Sequence, residues 1–200
     1  MVSYDRFCSN AARLRIAVLL SVSLANASGA IASPRPGEVE TTEGRVLGVE
    51  LEGGLWSFRG LRYAKAPVGA LRFSRPVPPD RFSGVFDAAE LAPSCPQTLT
   101  PFQQFCADDA SSRPGSTVGD EDCLALNLYS PVASWPPLES KPVMVFVHGG
   151  GFVNGCANED AMNPARLAVR GDVVTISLQY RLGLLGFLAT DALAREDPDG

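Results

Sequence analysis

Val143-Met144-Val145-Phe146-Val147-His148-Gly149-Gly150-Gly151-Phe152 is a purely apolar run that ends in a histidine, three glycines and a phenylalanine. A run with no polar alternation predicts a strand buried on both faces, in the centre of a helix-covered sheet. Three glycines directly after a strand let the backbone bend sharply and bring amide N–H groups close to a ligand with no side chain in the way. Donors arranged in this manner can hold the charge that develops on an oxygen, as an oxyanion hole does for a tetrahedral intermediate. A plain glycine turn or a phosphate-binding loop is the competing reading. The phosphate loops call for GxGxxG or GxxxxGK[ST], and neither pattern occurs here.

Downstream of this segment, Asn163-Pro164 opens a helix through Val169, with proline at its first position. Residues 172–180 then form a β-branched strand, so strand, helix and strand make a βαβ unit. Upstream, residues 124–129 read as a further strand. Residues 45–51 and 55–58 read as a hairpin joined at Gly53-Gly54. The expected fold class is α/β, with a mixed, mostly parallel central sheet and an antiparallel opening hairpin. Between these elements lie a proline-rich stretch, residues 66–79, read as extended surface chain, and a polar segment, residues 91–122, read as one long loop.

The chain has 200 residues, 46% of them hydrophobic and 20% charged, as in an ordinary globular protein. Its net charge of −5 speaks against nucleic acid as a partner, since phosphate binding favours a basic surface. A basic start (Arg6, Arg13, Arg15), a short apolar run over residues 16–24 and small residues around Ala27 and Ala32 read as a secretory signal over residues 1–32, cleaved after one of those alanines. The globular part is then residues 33–200, in a secreted or extracellular protein. Beyond Cys8 there are four cysteines, Cys95, Cys106, Cys123 and Cys156, and export permits disulfides among them. No CxxC pair occurs and His148 is the single histidine, so neither a metal site nor any cofactor is expected.

Four separate motifs resemble the type-B carboxylesterase and cholinesterase family of α/β hydrolases. The first is Phe58-Arg59-Gly60-Leu61-Arg62-Tyr63-Ala64 with Pro67-Val68-Gly69 and Leu71-Arg72-Phe73. The second is Glu121-Asp122-Cys123-Leu124 with Leu126-Asn127, the third is His148 to Phe152, and the fourth is Tyr180-Arg181-Leu182-Gly183 with Gly186-Phe187-Leu188. The resemblance implies an amino-terminal portion of an α/β-hydrolase domain, in which Gly150 and Gly151 donate to the oxyanion. It places Gly149 and Phe152 beside the substrate, with Phe152 near the acyl pocket or, on the plainer reading, packed in the core. It also implies a Cys95–Cys123 disulfide and a structural Arg72–Glu121 salt bridge, and it gives His148 a buttressing role. Cys106 and Cys156 have no partner in the family pattern. They are left as free thiols, as a pair, or as partners of cysteines elsewhere.

The implied activity is that of a serine carboxylic ester hydrolase working through an acyl-enzyme on a small ester. The family's GxSxG elbow, acidic residue and histidine base do not occur in these 200 residues. Ser177 lies inside a strand, and one histidine cannot complete a triad. The chain alone is therefore expected to be inactive. Leu61-Arg62, Phe82 and Gln179 depart from the residues usual in the family. No tryptophan lies between Cys95 and Cys123, where cholinesterases place one to bind quaternary ammonium, so a choline ester is disfavoured. The alternative is a cholinesterase-like adhesion or receptor ectodomain that has lost its nucleophile. Sequence leaves acyl and alcohol preference and oligomeric state open.

Overall fold

The computed structural model describes residues 35–107, 111–131, 140–158 and 164–196. The expected signal segment lies outside them, as do Cys8 and Asn163. Ten strands are described: β1 Glu38–Glu40, β2 Arg45–Leu47, β3 Val49–Leu51, β4 Leu55–Arg62, β5 Val85–Asp87, β6 Gln97–Thr98, β7 Thr117–Val118, β8 Ala125–Pro131, β9 Val143–Val147 and β10 Val174–Leu178. The α-helices are α1 Pro164–Gly171, α2 Gly183–Phe187 and α3 Asp191–Glu196.

The largest sheet has the order β3-β4-β8-β10-β9. It is mixed, as expected, but β9–β10 is its one parallel pairing among the described residues, and β3–β4, β4–β8 and β8–β10 are antiparallel. A parallel pair needs a long crossover between its strands. In this sheet α1, between β9 and β10, supplies the helical crossover for that pair, while the second sheet holds a further parallel pair, β2–β5, joined through β3 and β4. The βαβ unit itself is present where the sequence places it. Helix α1 packs on β8 and β10 through Ala168, which is fully buried.

The opening hairpin is split. β3 pairs with β4 across a turn in which Gly53 and Gly54 adopt φ +80° and +75°, a region that favours glycine. β2 instead joins a second sheet of order β1-β2-β5. Gly48 marks the break, and its N–H donates to the Gly37 carbonyl at 2.9 Å. The main apolar cluster lies between these two sheets and is built from Val46, Trp56, Phe58 and Ala88, with Val39, Leu61, Phe86 and Leu128 packed against it.

Strand β9 corrects an expectation. Among the described residues it stands at the edge of its sheet rather than the centre, and there Val143, Val145 and Val147 are 46%, 54% and 58% exposed. The strand buried on both faces is β4, where Leu55, Trp56, Ser57 and Phe58 are all buried in succession. An apolar run records a demand for cover but not the position in the sheet, which is set by pairing.

The proline-rich stretch is extended surface chain apart from a single 3₁₀ turn, Gly69–Leu71. The polar segment is more ordered than a loop. It carries the β6–β7 ribbon, a 3₁₀ turn at Gln104–Cys106 and two disulfides, Cys95–Cys123 and Cys106–Cys156. Each disulfide sits in its own small apolar cluster, the first with Ala64, Leu124 and Leu182 and the second with Leu99 and Val118.

Candidate active site

The glycine triplet leaves the carboxyl end of β9, next to the carboxyl end of its parallel neighbour β10. In open α/β sheets this is where ligands bind, because the loops that leave those ends are free to form a crevice. Gly150 and Gly151 adopt φ +122° and +61°, and Phe152 adopts +63°. Glycine takes such angles without strain, whereas for a bulky residue a positive φ is a true outlier. Contacts on both sides hold Phe152 in place. Its carbonyl accepts the Gly183 N–H at 2.7 Å, and its ring lies 4.8 Å from that of Phe187.

Turning the chain in this way folds the Gly150 carbonyl inward, where it accepts N–H bonds from Val153 and Asn154, each at 3.2 Å. The N–H groups of Gly150 and Gly151 donate to no acceptor among the described residues. Gly149, Gly151 and Phe152 are exposed, Phe152 at 61%, so its ring is not part of the core of the described chain. The loop thus leaves two adjacent amide donors without an acceptor among the described residues, and free backbone donors of this kind can stabilise an anionic oxygen.

His148 is buried and acts through packing. Its ring stacks on Tyr180 with centroids 4.3 Å apart and planes 18° from parallel, and its Nδ1 lies 2.9 Å from the Gly149 carbonyl. The Tyr180 hydroxyl donates to the His148 carbonyl at 2.8 Å, so one tyrosine holds both the ring and the backbone that enters the triplet. Burial raises the pKa of Tyr180, which keeps that hydroxyl a donor. Tyr63 is raised for the same reason, partly offset by Arg181, and donates to the Gln179 carbonyl at 2.5 Å. Ser177 is fully buried in the middle of β10, paired with Phe146 and Asn127, and is no exposed nucleophile.

The far side of the loop is tethered by Gln97 and Gln103, which the sequence does not single out, and by Gln179 and Cys156, which it does. Gln97 makes a reciprocal pair with Gly155, accepting its N–H at 2.8 Å and donating to its carbonyl at 2.9 Å. Gln103 donates to the Asn154 side-chain oxygen at 2.8 Å. Gln179, where the family usually has asparagine, is buried and accepts the Ala157 N–H at 3.0 Å. Cys156 is bonded to Cys106, which settles the pairing that sequence leaves open. The Cys95–Cys123 bond and the Arg72–Glu121 bridge, with contacts of 2.7 and 2.5 Å, form as expected. Arg62 and Asp122 pair with each other at the surface. No group of three or more potential metal-ligating side chains occurs among the described residues.

The mixed sheet, its βαβ unit and the glycine loop at the carboxyl ends match the amino-terminal part of the α/β-hydrolase fold of solved carboxylesterases. A structure titled as a thermophilic PNB esterase superposes with a TM-score of 0.68 at 34% identity, covering 82% of this chain and 31% of its own. The sequence profile of the carboxylesterase family matches residues 35–197, and the chain belongs to that family. Its relatives include phenmedipham hydrolase of Pseudarthrobacter oxydans, 43% identical over 72% of this chain and 28% of the relative. Carboxylesterase 3 of Homo sapiens and acetylcholinesterase-1 of Trittame loki are each 39% identical over 88% of this chain, and 30% and 32% of the relatives. The chain therefore spans about a third of the length of the relatives it matches.

Proposed function

We propose that the protein carrying this chain is an exported serine carboxylic ester hydrolase, and that Gly150 and Gly151 donate to the oxyanion of its tetrahedral intermediates. The observation that carries the reading is the pair of N–H groups without acceptors among the described residues, at the carboxyl ends of β9 and β10. A serine attacks the ester carbonyl, an acyl-enzyme forms, and water releases the acid. Each time the carbonyl oxygen gains charge, the two amides stabilise it more than they stabilise the ground state, and this difference is what accelerates the reaction.

Gly149 and Phe152 line the substrate side of the loop, and the exposed ring of Phe152 suits an apolar acyl group. The single histidine is packed beneath the loop and Ser177 is buried in a strand, so neither is assigned as base or nucleophile here. Two disulfides among the described residues fit an oxidising compartment and support export behind a leader over residues 1–32. Identity does not decide the ester, because relatives with both carboxylesterase and acetylcholinesterase names match equally well. The absence of tryptophan between Cys95 and Cys123 favours esters without a quaternary ammonium.

The test is hydrolysis of a p-nitrophenyl ester by the full-length protein, before and after treatment with a serine-directed organophosphate. We expect turnover that the reagent abolishes. Binding of a cell-surface partner without any turnover would instead favour the adhesion reading.

A further inference from the structure

We propose that the Cys106–Cys156 disulfide, with Gln97 and Gln103, positions the oxyanion loop, which makes ester hydrolysis depend on this bond. The inference rests on the function proposed above. Three connections run from the segment that includes Gln97 and Cys106 to three consecutive residues just after the glycine triplet. Gln103 meets Asn154, Gln97 makes its reciprocal pair with Gly155, and Cys106 is bonded to Cys156. Asn154 is also the residue whose N–H closes the turn onto the Gly150 carbonyl. The peptide planes that aim the Gly150 and Gly151 donors are therefore fixed on one side by β9, through His148 and Tyr180. On the other side they are fixed by this staple.

The geometry separates this role from general stabilisation. The Cys95–Cys123 bond lies in a different apolar cluster and is linked to the loop only through other residues: the Cys95 carbonyl accepts from Gln97 at 3.1 Å, and Tyr180, which packs against that cluster, bonds the His148 carbonyl. Cys106 and Cys156 are buried with Leu99 and Val118, so the staple is anchored in a small core of its own. Gly155 has no room for a side chain, because a β-carbon there would lie 2.3 Å from the Gly149 carbonyl oxygen and 2.4 Å from the His148 Nδ1. The strand-side and staple-side supports thus meet in direct contact. A shift of the Asn154–Cys156 backbone is transmitted to Gly149 and His148 with little slack. Cys106, Cys156, Gln97 and Gln103 are positioning residues that act through the loop and do not touch substrate.

The experiment compares the full-length wild type with Cys106→Ser/Cys156→Ser and with Gln103→Ala, reading kcat and KM for a p-nitrophenyl ester and amide hydrogen exchange by residue. In the double variant we expect kcat to fall about tenfold or more, toward the 10²–10³ range for loss of one oxyanion donor, with KM nearly unchanged. Exchange should rise at the Val153, Asn154 and Gly155 amides and remain as in wild type in β4 and β8. Gln103→Ala should shift kcat in the same direction by a smaller factor. Wild-type kcat in the double variant would overturn the proposal, and so would faster exchange spread evenly over β4 and β8. If the double variant does not fold, Gln103→Ala and Gln97→Ala decide alone: reduced kcat at constant KM supports the staple, and wild-type kcat overturns it. Should the wild type hydrolyse no ester, the proposed function fails, while the exchange data still report whether the staple holds the turn.

Discussion

At the residue scale, the three glycines of the triplet are not equivalent. A β-carbon on Gly150 would stand 1.8 Å from the Asn154 carbonyl oxygen, and the φ of +122° is one that L residues rarely adopt. Gly151 also has a positive φ, but nothing lies within 4 Å of the place its β-carbon would take. Gly150→Ala must therefore open the turn and lose the bonds to Val153 and Asn154, at a cost of about 2–4 kcal/mol. Gly151→Ala incurs mainly the left-handed backbone penalty, about 1–2 kcal/mol. Urea unfolding of the two variants in parallel checks the order, and equal costs would contradict this account of the turn. The triplet is legible in the sequence because its meaning is local: glycines, consecutive, after a strand. Gln97 and Cys106 are not, since their partners lie 58 and 50 positions away and no nearby spacing records them.

At the level of elements, the strands are more legible than their neighbours. β8, β9, α1 and β10 fall where periodicity and composition put them, because each is specified by its own residues. The place of β9 at the edge of the sheet that the described residues form is hidden from sequence because sheet order depends on which strands pair, and pairing is not written in any single strand. The split between β2 and β3 is hidden for a different reason. Residues 45–51 read as one apolar-rich strand through Val46, Leu47, Val49 and Leu51, and the clearest sign of a change of sheet is Gly48. A β-carbon there would lie 2.6 Å from the Phe58 ring and 2.8 Å from the Ser57 carbonyl oxygen, so the strand can pass over β4 only as glycine. Gly48→Val should cost about 1–3 kcal/mol by overpacking against Phe58. A thermal midpoint equal to wild type would show that the crossing has room to spare.

For the whole molecule, acidity is a measurable handle on how its parts are held. Hydrogen bonding to Arg72 holds the Glu121 carboxyl below its ordinary value, and hydrogen bonding to Arg35, with help from Arg45, does the same for Glu38. A carboxyl that titrates lower when folded binds protons more tightly when unfolded, so acid favours unfolding. The stability contributed by both groups is complete above the ordinary carboxylate pKa and is lost as pH falls through their lowered folded values. Thermal midpoints measured from neutral pH into the acid range should decline there, and Glu121→Gln should flatten part of that decline. A parallel decline in the variant would remove Arg72–Glu121 from the explanation.

The two disulfides interleave along the chain, since Cys106 lies inside the Cys95–Cys123 loop and Cys156 lies outside it. During oxidation the short closure between Cys95 and Cys106 meets the smallest entropic barrier, yet it is not a native bond. An oxidising chain that closes this pair first must therefore pass from an easy wrong pairing to a harder right one. A host with active disulfide exchange will then give soluble protein where a merely oxidising one gives scrambled isomers.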